Sequence, residues 1–95
     1  MKKIVINTCH GGFDLSHEGM ALYRELANVP DDFPLYAWHI PRDDENLIRV
    51  VEELGDASYG EFAKLKVVEI PDDVQWEISE YDGVEWVAEK HRKWN

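Results

Sequence analysis

The chain has 95 residues, 44% of them hydrophobic and four of them tryptophan, the size of one domain with enough apolar surface for one core and no need of disulfide staples. Twenty acidic against ten basic side chains give a formal charge of -10. That field repels nucleic acid and anionic membranes, so neither is an expected direct partner. Cys9 is the single cysteine, which excludes an intramolecular disulfide and fits a reducing, cytoplasmic setting; the apolar runs are too short for a signal peptide or a membrane span.

Ile4, Val5 and Ile6 form a β-branched run ending at Asn7, the pattern of a short strand covered on both faces, as central parallel strands are. A loop over residues 8–15 follows. Ser16 then caps a helix whose apolar positions Met20, Tyr23, Leu26 and Ala27 fall at helical spacing, with Leu15 and Met20 placed to staple its start. That helix ends near Asn28, since Pro30 cannot continue it. Residues 35–40 read as a second strand. Asp43 is the expected cap of a second helix, lined by Leu47, Val51 and Leu54 and stopped by Gly55.

Residues 56–62 read as a loop and residues 64–70 as a third strand. Pro71, Asp72 and Asp73 turn the chain into a fourth strand over residues 74–81. Asp82-Gly83 is a preferred type I′ pair, so residues 84–89 should return antiparallel. Alternation would bury Val74, Trp76 and Ile78 together with Val84, Trp86 and Ala88, while a helix over residues 84–94 stays open as an alternative. The expected class is therefore α/β: one small mixed sheet in the order β-α-β-α-β-β-β with a C-terminal β-hairpin, in a single domain spanning residues 1–95.

Four ordered blocks carry a resemblance: N-T-C-H-G-G-F-D-L-S from Asn7, V-V-E-E-L-G from Val50, A-K-L-K-V-V-E-I-P-D from Ala63, and E-Y-D-G-V-E-W-V-A-E-K-H-R-K-W from Glu80. The chain resembles a family of small uncharacterised proteins carried by tailed phages and prophages of bacteria. Members often carry a longer segment between the first helix and the Arg42 region, which is short here. The resemblance implies a phage accessory protein acting in the cytoplasm of an infected bacterium, in host takeover or counter-defence.

The loop after the first strand is where open α/β sheets hold ligands, because glycines and free helix N–H groups let an anion approach the backbone. Asn7, His10, Gly11, Gly12, Phe13 and Ser16 form this candidate site for a small anionic, nucleotide-type ligand. Arg42 at the end of the second strand, with His91 and Arg92 near the C-terminus, would supply the charge. The alternative is that the glycines only turn the chain and the basic residues form a solvated tail.

Catalytic readings fare worse. Leu15 stands where a cysteine-phosphatase loop needs arginine, and Cys9 and His10 as neighbours on an extended segment point apart. Cys9 reads as a buried structural residue. The histidines show no zinc-site spacing, and neither a metal nor a cofactor is expected. A non-enzymatic anion-binding protein is the leading expectation, and a homo-oligomer would give so small a domain a deep pocket between copies. An acidic inhibitor occupying a basic groove of a host defence protein or nucleic-acid enzyme is the second, and an unrecognised hydrolase the third.

Overall fold

The computed structural model describes residues 1–90. Its elements are β1 (Lys2–Asn7), α1 (His17–Ala27), a 3-10 turn (Ala37–His39), α2 (Glu45–Leu54), a second 3-10 turn (Gly55–Ser58), β2 (Leu65–Ile70), β3 (Trp76–Tyr81) and β4 (Val84–Glu89). The α/β class and the C-terminal hairpin stand. The order is β-α-α-β-β-β, and the strands form two antiparallel ribbons, β1 with β2 and β3 with β4, instead of one mixed sheet.

Local chemistry accounts for the helices. Ser16 caps α1, its Oγ accepting the Gly19 N–H at 2.9 Å, and Asn28 ends it in the left-handed region at φ 56°, where asparagine is tolerated. Asp44, one residue beyond the expected Asp43, caps α2 by accepting the N–H groups of Asn46 and Leu47 at 2.8 and 3.1 Å. Gly55 at φ 54° stops it. Leu47, Val50 and Val51 turn inward, where they meet Val5, Leu15, Tyr23, Ala37, Ile40 and Leu65 in the core.

The expected second strand is the main correction. Among residues 35–40, Ala37 and Ile40 are 3% exposed while Tyr36, Trp38 and His39 face out. Buried positions three apart match the 3-10 repeat, in which i and i+3 share a face, and not the two-residue repeat of a strand. Without that strand, the strands among the described residues pair only antiparallel. β1 is instead paired antiparallel, Lys2 opposite Ile70 and Asn7 opposite Leu65. Its burial is as expected for a doubly covered strand, with Ile4, Val5 and Ile6 all at 6% exposure or less. On its other edge the Val5 N–H donates to the Arg42 carbonyl at 2.8 Å, so the extended backbone around Arg42 stands in for part of the missing neighbour.

In the hairpin, Asp82 and Gly83 take φ 52° and 90°, as a type I′ turn requires. The two-residue turn sets Tyr81 opposite Val84 and hence Ile78 opposite Val87. Trp76 and Ile78 therefore share a face with Glu85 and Val87, not with Val84, Trp86 and Ala88 as alternation taken strand by strand suggested. β4 is a strand through Glu89, which removes the helical alternative for its described part, and it is the hairpin strand that lies against β1.

Candidate functional site

The loop after β1 is built around the Asn7 side chain, which is fully buried. Its amide donates to the carbonyls of Cys9 and Gly83, each at 2.7 Å, and its Oδ1 accepts the N–H groups of Lys64 at 2.9 Å and Cys9 at 3.3 Å. All four bonding positions of the amide are thus in use. One side chain holds together the first loop, the start of β2 and the hairpin turn.

Arg42 lies beside this knot. Its Nη2 donates to Glu85 Oε2 at 2.6 Å and its Nε to Oε1 at 3.4 Å, and the pair is largely out of water at 16% and 8% side-chain exposure. The Phe13 ring closes over the guanidinium, with Cζ 3.5 Å from the ring centroid, a cation–π contact strengthened by desolvation. Glu85 Oε1 also accepts the Asn7 N–H at 2.9 Å. Arg42, the one Lys or Arg among the described candidate residues, is therefore neutralised inside the protein.

The other candidate residues are drawn into the same brace. A Cβ on Gly11 would collide with the Phe62 carbonyl, and one on Gly83 with the His10 carbonyl, so both glycines permit close backbone approach. Gly12 has φ 93° with open space around it. His10 Nδ1 lies 3.3 Å from the Asp82 carbonyl, and Ser16 donates its hydroxyl to the Ala57 carbonyl while capping α1. Cys9 is half-buried. His91 and Arg92 lie outside the described residues.

A cleft of about 360 Å³ opens at this loop, lined by Gly11, Gly12, Asp14, Glu61 and Phe62 among others. Its charged lining groups are both carboxylates, and Phe62 is 72% exposed beside the glycines. A separate cleft of about 400 Å³ along α1, lined by His17 and Met20 among others, sets Arg24 against Asp31. Among the described residues, no three His, Cys, Asp or Glu side chains gather as a metal site would need, and no helix is long and apolar enough to cross a membrane.

Two features escape the sequence reading. Glu85 is the partner of Arg42, and the turn register that turns it inward could have disclosed it, since Tyr81 opposite Val84 places Glu85 on the Ile78 face. The other is an aromatic ledge on the first 3-10 turn. Tyr36 and Trp38 stack at 5.4 Å with 16° between their planes, and His39 stands edge-on to Trp38 at 3.9 Å. Tyr36 and Trp38 are 54% and 65% exposed. In a strand, residues 36 and 38 would also share a face, so the pairing of their rings does not by itself distinguish a strand from a 3-10 turn.

Comparison with protein-family models, with curated proteins and with solved structures finds no match.

Proposed function

We propose that this chain is a non-enzymatic binding protein that occupies a basic surface of another protein. In the phage setting implied by the resemblance, the partner is a host defence protein or nucleic-acid-handling enzyme, and the effect is counter-defence. The commitment of Arg42 to Glu85 carries this reading. It withdraws positive charge from the loop where an anion would have to sit, leaves Asp14 and Glu61 at the cleft, and accords with the formal charge of -10. A field of that sign steers encounters with basic partners and disfavours phosphate.

Phe62 supports a second reading. Its exposed ring beside Gly11 and Gly12 offers a stacking surface for the base of a nucleotide-type ligand, with His10 within the same loop as a donor. The test is capture from lysate of phage-infected bacteria at low salt, followed by mass spectrometry of both polypeptides and small molecules released on denaturation. A host polypeptide that comes off as salt is raised supports the acidic binding protein. A stoichiometric nucleotide lost with Phe62→Ala supports the ligand reading and overturns the first.

A further inference from the structure

We propose that the Tyr36–Trp38 ledge is the contact for an arginine side chain presented by a basic segment of the partner protein, an inference that rests on the acidic binding reading above. The ledge is preorganised. Ala37 and Ile40 anchor its backbone in the core, and the His39 and Ile40 N–H groups close the turn on Tyr36 and Ala37 carbonyls at 3.0 and 3.1 Å. The rings therefore meet a partner without the ordering cost that flexible aromatics incur.

Charge selects the occupant. Asp31, Asp32, Asp43 and Glu45 flank the ledge in sequence, with Asp44 engaged in capping α2; the one Lys or Arg between residues 30 and 45 is Arg42, already bound to Glu85, and Arg24 reaches this segment at the Pro30 carbonyl. Exposed tyrosine and tryptophan faces attract a cation through the ring quadrupole, and guanidinium also stacks on them as a plane. An anionic ligand would meet the opposite field. A tryptophan–tyrosine pair at an exposed site is also the composition that dominates binding energy at protein interfaces.

The experiment titrates the full chain with a capped hexa-arginine peptide at low salt, using hexa-citrulline as the uncharged isostere, and follows the Trp38 indole N–H by NMR. The expected result is binding of hexa-arginine alone, a shift of the Trp38 resonance, and affinity reduced roughly two- to fivefold by Trp38→Leu. Trp86→Leu, at another exposed tryptophan, should leave affinity unchanged. Because Trp38 is exposed, a preserved amide spectrum checks that the variant is folded. Equal affinity of Trp38→Leu and the parent, or an equal loss in Trp86→Leu, overturns the ledge and leaves the acidic binding reading standing. Absence of hexa-arginine binding to the parent chain overturns both.

Discussion

Asn7 and Gly83 lie 76 residues apart and are joined by a 2.7 Å hydrogen bond from the Asn7 amide to the Gly83 carbonyl. The same amide also donates to the Cys9 carbonyl, so its two N–H groups face two acceptors in a site closed to water. Asn7→Asp replaces those donors with a charged acceptor that meets both carbonyls. Its expected cost is at least about 3 kcal/mol, from an unsatisfied buried charge and two lost bonds, read as a fall in the midpoint of urea unfolding.

Arg42 gives a sharper test, because its two roles differ in what its loss does to the free protein. As the partner of Glu85, its replacement by methionine leaves a largely buried carboxylate unpaired and should destabilise by about 3 kcal/mol. As a ligand-binding cation it would be replaceable with little change. Glu85→Gln should cost less than Arg42→Met, since an amide oxygen still accepts from the Asn7 N–H. Chemical denaturation of the three proteins decides between these roles.

Gly83 and Gly12 share a positive φ, yet their surroundings differ. An added Cβ on Gly83 meets the His10 backbone, and one on Gly12 meets nothing. Gly12→Ala should therefore cost about 1 kcal/mol, the backbone strain alone. Gly83→Ala should cost at least about 2 kcal/mol, because the hairpin turn must also part from the first loop. Thermal melts of the two variants under identical conditions give the ranking.

Tyr23 provides the pH dependence. Burial, then its 3.0 Å hydrogen bond to Asp44, pushes its hydroxyl up to about 12. The folded state thus holds this proton more tightly than the unfolded chain, whose tyrosine titrates near 10. The corresponding stability is fully present below about pH 10 and is lost as pH rises through about 12. Tyr23→Phe should be less stable than the parent at neutral pH by about 1 kcal/mol, and the gap should close over that alkaline window. Denaturant unfolding of both proteins across it reads the effect directly.

Elements whose ends carry their own chemistry were legible in the sequence. Ser16, Asn28 and Gly55 bound the two helices as their side chains or backbone preferences dictate, and Asp82-Gly83 makes the turn that its type demands. Topology was less so. The apolar segment at 35–40 fits a strand by composition, but its burial repeats every three residues, a distinction that depends on tertiary packing. Losing that strand changed the sheet from mixed to antiparallel. Arg42 still arrives beside the first loop, though for another reason: its backbone accepts from Val5 on the open edge of β1. The ion pair behind it was hidden because a glutamate within an exposed-looking alternation gives no local sign of burial until the hairpin register is applied.

The Glu85 carboxylate takes the N–H of Asn7 and the guanidinium of Arg42, thereby tying β1 to a residue near the end of the described chain. β1 likewise pairs with β2 across more than half of the sequence. During synthesis both helices can form early, but the first strand must wait on the ribosome without a ladder until residues 65–70 emerge, and its buried polar end waits for residue 85. Productive folding is consequently governed by long-range encounters, slower than for a helical bundle of this size, and a nascent chain stalled before Glu85 leaves the Asn7 N–H and the Arg42 guanidinium without the carboxylate they share.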